Sequence, residues 1–304
     1  MSKLKTAFFC QNCGAKYPKW LGQCSACKKW NSLVEEVVQN PKTVSIGLTK
    51  SQSSSKPIKI NDIDTSNNPR IDLKDSELNR VLGGGIVPGS LVLIGGEPGV
   101  GKSTLLLQIS LLLNIKVLYV TGEESQQQIK RRADRINSNS ELCFILNETN
   151  VEKIITEINL INPQLVIVDS VQTLQTDTID NSPGSISQIK ESTSHFLKYA
   201  KKTNLPFVIV GHITKDGGIA GPKILEHMVD VVLQFEGDRN HIYRILRSKK
   251  NRFGSTAEIG IYEMLNNGLK QVNNPSELLI SNNKDPLSGN AISATIEGIR
   301  PIMI

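Results

Sequence analysis

No apolar run in this 304-residue chain approaches the roughly 20 residues that a membrane-spanning helix needs. The longest, around Leu105 to Leu113, is interrupted by Gln108 and Ser110. No secretory h-region follows the N-terminus either, because Met1-Ser2-Lys3-Leu4-Lys5 leads straight into a cysteine module. A soluble, cytoplasmic protein without a membrane partner is the expectation. Cysteine is nearly absent beyond residue 27, where Cys143 alone remains, and this excludes a disulfide framework spread through the fold. The excess of charge is small. A net +6 permits contact with nucleic acid without requiring it.

The other four cysteines stand as Cys10-Gln11-Asn12-Cys13 and Cys24-Ser25-Ala26-Cys27, two CxxC knuckles with ten residues between them. A tetrahedral zinc ion needs four thiolates, and two tight turns deliver them in pairs. Neither pair opens a helix after a strand, as a redox CxxC would. Gly14 supplies a permissive backbone after the first knuckle, and Lys28 takes the equivalent place in the second. A module of this size has almost no core, so the metal supplies most of its folding energy. Phe8, Phe9, Tyr17, Trp20 and Trp30 crowd the site, with Lys16, Lys19, Lys28 and Lys29 nearby. They either cover the zinc or offer a surface to nucleic acid or a partner. Cys143, in the run Leu142 to Leu146, reads as a buried strand residue.

The run Gly96-Glu97-Pro98-Gly99-Val100-Gly101-Lys102-Ser103 fits the phosphate-loop pattern at every fixed position. Its glycines let backbone N–H groups turn inward on a β-phosphate, Lys102 neutralises β/γ oxygens, and the Ser103 hydroxyl ligates magnesium. A short buried strand, Leu91 to Ile94, precedes it, and an apolar helix beginning at Thr104 follows, whose N-terminus adds a positive field. The chain is expected to bind ATP or GTP.

Strands are expected near 91–95, 116–121, 142–146, 165–169 and 206–211, and helices near 103–113, 125–137, 151–161 and 185–203. Alternation of this kind implies an α/β fold with a parallel sheet covered by helices. Shorter strands follow between about 229 and 272. Residues 1–36 read as the zinc module, 37–61 as a flexible linker rich in serine, lysine and threonine, and 62–280 as the ATPase domain. Asp169 ends the strand Leu165 to Val168, where a magnesium partner for Ser103 belongs. The strand Val117 to Val120 ends in Thr121-Gly122-Glu123-Glu124, and a glutamate there is placed to polarise an attacking water.

From Phe9 onward the chain resembles the bacterial RadA (Sms) family of DNA repair proteins, whose motor is a RecA-like ATPase. The resemblance rests on the four-cysteine module with Trp30-Asn31-Ser32-Leu33, Arg80 to Gly85, Gly122-Glu123-Glu124-Ser125 and Lys250-Asn251-Arg252-Phe253-Gly254. It implies ATP as the nucleotide, with Mg2+ and Zn2+ as metals. Glu123 matches the catalytic glutamate, while Lys250 and Arg252 look like the pair that reaches a neighbour's γ-phosphate in trans. The segment after His212, through Lys215, Gly217, Gly218 and Gly221, is similar in place to a loop that touches single-stranded DNA; so is Thr176 to Gly184, which is acidic.

Two departures stand out. Family members usually carry proline and glycine in the second knuckle, where Ser25 and Lys28 stand here, and the thiolate ligands survive this change. The family also continues into a domain resembling the Lon protease fold, of which 281–304 would be only the start; 291–304 should then be a poorly packed hairpin. The resemblance implies a DNA-dependent ATPase, assembled as a homo-hexameric ring on single-stranded or branched DNA, that promotes strand exchange or branch migration beside recombinase or replication partners. The alternatives are a nucleotide-switched binding module with slow hydrolysis, and a RecA-like signalling ATPase that does not touch DNA.

Overall fold

The computed structural model describes residues 5–11, 13–38, 57, 59–62, 69–213, 219–220, 224–237, 242–279, 292–298 and 300–303. The strands β1 (Lys5–Cys10), β2 (Lys16–Tyr17) and β3 (Leu33–Val38) form an antiparallel sheet in the order β2-β1-β3. β3 runs two residues past the expected module end at residue 36. Of the expected linker, residues 39–56 and 58 lie outside the described residues, and a 3-10 turn occupies Ile60–Asp62.

A larger sheet follows. In chain order its region contains α1 (Ser76–Leu82), β4 (Leu91–Gly96), α2 (Lys102–Leu112), β5 (Val117–Thr121), α3 (Gln126–Ile136), β6 (Cys143–Asn147), α4 (Val151–Ile161) and β7 (Leu165–Asp169). It continues with α5 (Ile186–Thr203), β8 (Phe207–Ile213), β9 (Ile219–Ala220), α6 (Ile224–Met228), β10 (Val231–Glu236), β11 (Tyr243–Asn251), β12 (Ile259–Leu265) and β13 (Gly268–Gln271). The strand order is β13-β12-β11-β10-β4-β8-β7-β5-β6, with β9 paired to β8. Along that order every pairing from β6 to β10 is parallel, while β10, β11, β12 and β13 pair antiparallel, as does β9 with β8. The expected strands and helices of the parallel part are all present, within a residue or two of their expected ends.

Helices on both faces explain why β4, β5 and β7 are apolar along their length. Successive strand side chains point to opposite faces, so one strand feeds two cores. Val92, Ile94, Tyr119 and Ile167 join one core with Leu106 and Ile109 of α2. Leu91, Leu93, Leu118 and Val168 join the other with Ile158 of α4 and Phe196 of α5. Polar caps fix where the helices start: Ser125 and Gln128 close a capping box on α3, and the Asn150 and Ser185 side chains accept the amides of Lys153 and Gln188. β6 corrects one expectation. It is an edge strand, so Cys143 is only half-buried and Phe144 faces water. Burial still raises the Cys143 thiol to about 11.

The C-terminal segment corrects another. Past α7 (Ser276–Leu279), β14 (Ala294–Glu297) and β15 (Arg300–Met303) do form a hairpin, and Ile296 on β14 is exposed. β15, however, is anchored rather than loose. The Arg300 guanidinium, 8% exposed, donates to Glu77 Oε2 at 2.8 Å and to the carbonyls of Val272 and Asn273 at 2.7 and 2.6 Å. Glu77, wholly buried in α1, also accepts the Arg80 guanidinium and the Ile261 amide. A buried carboxylate needs such partners, and β15 supplies one of them.

Candidate active site

The parallel order β4-β8-β7-β5 aligns four carboxyl ends: Gly96 pairs with His212, and Thr121 with Asp169. The segments leaving these ends carry the expected phosphate loop, Asp169 and Glu123, so the sheet gathers them at one pole. The loop runs from Gly96 to Ser103, with Glu97, Pro98 and Gly99 exposed, Val100 and Lys102 buried, and Ser103 and Thr104 half-buried at the start of α2. Gly101 caps that helix at φ 115°, and a Cβ there would lie 2.8 Å from Met264 Cε. Only glycine fits such a position.

Lys102 donates from Nζ to the carbonyls of Gly96 and Glu97 at 2.7 and 2.9 Å. Burial pulls its pKa down to about 8, against the fields of Asp169, Glu123 and Glu97. An ammonium held on two neutral carbonyls fits a phosphate group, which would offer it full negative charge. Asp169, 7% exposed, accepts the Tyr119 hydroxyl at 2.7 Å. Tyr119 has no exposed surface, and burial together with the Asp169 charge raises its pKa well above the ordinary range. It therefore stays a donor and holds one carboxylate oxygen in place.

Glu123 accepts a hydrogen bond from the Ser170 hydroxyl and lies 3.3 Å from His212 Nε2. The His212 contact, aided by Ser170 and by the Lys102 charge against the opposing effect of burial, lowers Glu123 to about 2. Such a carboxylate stays ionised and orients a water better than it removes its proton. Gly122 makes the placement possible. A Cβ there would sit 2.1 Å from Thr173 Oγ1 and 2.9 Å from Thr149 Cγ2. Glu124 takes a different part, pairing with Arg132 of α3. Tyr119, Ser170, Thr173 and the His212 contact have no local signal in the sequence, because strands distant in the chain bring them together.

The two segments expected to face DNA differ. Residues 214–218 and 221–223, with Lys215, Gly217, Gly218 and Gly221, lie outside the described residues. The stretch Thr176 to Gly184 is organised by Gln188 of α5, 2% exposed, which accepts the Thr176 amide at 2.9 Å and donates to the carbonyls of Ile179 and Asn181 at 3.0 and 2.9 Å.

The four module thiols lie within 4.8 Å of one another, with Cys10 to Cys27 and Cys13 to Cys24 both at 3.6 Å. Zinc–sulfur bonds of about 2.3 Å at tetrahedral angles put sulfurs about 3.8 Å apart, so the donor set fits zinc. The knuckles match in detail. Gly14 N bonds Cys10 O at φ 71°, and Lys28 N bonds Cys24 O at φ 60°, both at 2.8 Å. The thiols split: burial, with the neighbouring sulfurs, pushes Cys13 up to about 12, while at Cys24 burial is outweighed by the Tyr17 hydroxyl and the amides of Cys27 and Ala26, which bring it down to about 6. Phe8, Tyr17 and Leu21 pack on the cysteines, whereas Trp20 and Trp30 are 54% and 69% exposed.

Known proteins resemble both regions. The AAA domain family matches residues 55–218, and the rubredoxin metal binding domain family matches 8–35, which hold the four cysteines. Proteins named DNA repair protein RadA from Halalkalibacterium halodurans and Bacillus subtilis are each 50% identical over all of this chain, which covers 67% and 68% of their lengths. This chain belongs to the RadA family. It is accordingly an ATP-hydrolysing enzyme built on a RecA-like core. The fold is also that of the RadB recombinase (TM-score 0.53, 22% identity, 66% of this chain and 99% of that one) and of a KaiC-like protein from Pyrococcus horikoshii (0.55, 17%, 67% and 99%). Among the described residues no helix is long and apolar enough to cross a membrane.

The RadA-type pentapeptide, Lys250 to Gly254, sits at the other pole of the sheet. Lys250 pairs with Val232, which pairs with Leu93 near the start of β4, and Arg252 N bonds Asp230 O beside Leu91. The strand rises about 16 Å from Leu91 to Gly96 and about 10 Å from Leu93, and the Lys250 ammonium is turned to the carbonyls that end α6, so neither side chain reaches the phosphate loop of its own chain. Lys250 is not a solvated strand end. Its Nζ donates to the carbonyls of Glu226 and Val229 at 2.7 Å and of His227 at 3.2 Å, closing the C-terminal end of α6. Burial lowers its pKa. Arg252, 55% exposed at its side chain, lies 3.4 Å from Asp230 Oδ1.

Proposed function

We propose that this protein is a DNA-dependent ATPase that assembles as a homo-hexameric ring on single-stranded or branched DNA and uses hydrolysis to promote strand exchange or branch migration. The observation that carries the ring is the polar separation just described: half-exposed Arg252 lies a sheet length from its own phosphate loop. A neighbour stacked pole to pole would receive it as a charge in trans.

In this reading the backbone N–H groups of the loop from Gly96 to Thr104, Pro98 excepted because it has none, and the Lys102 ammonium would hold the triphosphate of ATP. Ser103 and Asp169 would hold magnesium, which when bound would supply positive charge to the phosphates. Glu123 orients the water. Cys10, Cys13, Cys24 and Cys27 hold zinc, which folds the module. His212 links Glu123 to the residues that follow β8, the expected DNA-facing loop, and this supports a coupling between strand binding and turnover. The domain limits proposed are 1–36 for the module, 37–61 for the linker, 62–280 for the ATPase core and 281–304 for the start of a further domain.

The test is ATP hydrolysis across protein concentrations, with and without single-stranded DNA, beside Glu123→Gln. Stimulation by DNA that rises cooperatively and is lost in the variant is expected. Slow turnover indifferent to DNA, or unchanged in the variant, would favour the nucleotide-switched module instead.

A further inference from the structure

The two tryptophans of the chain stand side by side on the outer face of the zinc module. A Cβ on Gly22 would lie 3.7 Å from Trp20 Cη2 and 3.7 Å from Trp30 Cζ3, so both indoles border the same glycine. The local hairpin fixes them there: Gln23 bridges Trp30 antiparallel, and Asn31 N bonds Gly22 O at 2.8 Å. Neither ring belongs to the small core under the sulfurs, which Phe8, Ala15, Tyr17, Leu21 and Leu33 complete without them. Two large aromatic surfaces left in water at a defined position are costly unless something covers them.

The charge around them says what. Lys19 adjoins Trp20 in the chain and Lys28 stands two residues before Trp30, both exposed; Lys16 sits over the Phe9 ring, and the first acidic residue of the whole chain is Glu35. Lysines outnumber the residual negative charge of a zinc–tetrathiolate centre, so the face is cationic. The module also lies beside the active pole. Phe9 and Gly14 share a cleft of about 200 Å³ with Asp180 and Asn181 and with Lys190 of α5. Aromatic platforms flanked by lysines, on a stretch with no acidic residue before Glu35, match one ligand chemistry, unpaired bases on a phosphate backbone.

We infer that Trp20 and Trp30 form a base-stacking site for single-stranded nucleic acid, with Lys19 and Lys28 on the flanking phosphates. This site is built from residues of the zinc module alone and requires no nucleotide. It rests on the reading of the protein as a DNA-binding ATPase only for the preference of DNA over RNA.

Because the chain has no other tryptophan, its intrinsic fluorescence reports this face alone. The experiment titrates the zinc-loaded protein, without ATP, with oligothymidylate and oligouridylate, following tryptophan emission and the anisotropy of a labelled oligonucleotide together. The expected result is quenching that saturates with binding and weakens as salt is added. Trp20→Ala and Trp30→Ala are each expected to weaken binding at least about 5-fold with zinc content unchanged, the lower end of one stacked base. A stronger response to the thymidylate strand assigns DNA, and an equal one assigns single strands generally; either supports the site. Oligonucleotide binding by anisotropy with unaltered emission overturns it, and that readout needs no variant. Emission that responds only to an acidic peptide overturns it in favour of a protein partner. Loss of DNA-stimulated turnover with quenching intact would sink the ATPase reading and leave this one standing.

Discussion

Nε2 of His212 at the end of β8 lies 3.3 Å from Oε1 of Glu123 beyond β5, across the intervening strand β7. That contact is the main reason Glu123 is held near 2, below its ordinary 4.5. A depressed carboxylate adds stability that is complete above the unfolded value and is lost as pH falls through the folded one. The stability advantage of the parent over Glu123→Gln should therefore be full above pH 4.5 and shrink as pH approaches 2. The side chain is 43% exposed, so water screens the effect and keeps it small. His212→Ala should shift the loss upward towards pH 4.5. Melting curves of the three proteins from pH 3 to 7 check this, and an unshifted loss in His212→Ala would show that the contact does not set the carboxylate.

Lys102 gives the opposite dependence at the alkaline side. Burial lowers it to about 8, so the free site loses its positive charge as pH rises through that value. A bound triphosphate demands the charged form, and binding then takes up a proton. Nucleotide affinity should fall above pH 8, by up to about tenfold per pH unit. Lys102→Ala should bind nucleotide poorly at every pH. A titration series between pH 7 and 10 reads both, and strong, pH-independent binding by the alanine variant would overturn the site assignment.

Gly122→Ala tests how Glu123 is placed. The new methyl group would meet Thr173 and Thr149 well inside contact distance, and the strand end must shift to admit it. A cost of about 1–3 kcal/mol is expected. Turnover should fall much further than nucleotide affinity, because the displaced group acts on the water rather than on the bound phosphates. Parallel falls in both would instead mean that the whole pole had rearranged.

What the sequence shows of this protein and what it hides divide along physical lines. The phosphate loop and the zinc knuckles are legible because a turn only a few residues long must carry its ligands at fixed spacing. The parallel core is legible because strands buried on both faces must be apolar throughout. Tyr119 against Asp169, Ser170 against Glu123 and Gln188 within the 176–184 stretch are created by strand order and leave no pattern along the chain. The hairpin at 294–303 is the clearest miss. A single arginine reaching the buried Glu77 decides its packing, and β15 lies more than 200 residues from α1 in sequence.

Lys28 offers a test of the zinc module. It adopts the left-handed conformation that Gly14 adopts in the first knuckle, which costs a side-chain-bearing residue roughly 1–2 kcal/mol. Lys28→Gly should raise zinc affinity or thermal stability of the module by no more than about 1 kcal/mol, because glycine also loosens the unfolded chain. Removing zinc should unfold residues 8–34 while the two cores of the large sheet, which contain none of them, stay folded. Amide exchange before and after chelation follows both regions at once. Loss of protection in β4 and β5 together with the module would refute that independence.

Arg252 is the cleaner of the two cations with which to test action between subunits. Lys250→Ala would strip three carbonyls at the end of α6 of their donor, so lost activity there could reflect lost structure. Arg252→Ala gives up one long contact to Asp230 from a half-exposed side chain, worth less than about 1 kcal/mol. The variant should melt near the parent and bind nucleotide normally, yet hydrolyse it at least 100-fold more slowly if its charge acts on a neighbour's transition state. Mixing supplies the decisive arm. Lys102→Ala and Arg252→Ala subunits are each inactive alone, but at an interface between them one chain contributes an intact phosphate loop and the other an intact arginine. Recovery of a fraction of parental turnover on mixing, rising with total concentration, is the expected outcome; no recovery from subunits shown to co-assemble would remove Arg252 from the neighbour's site.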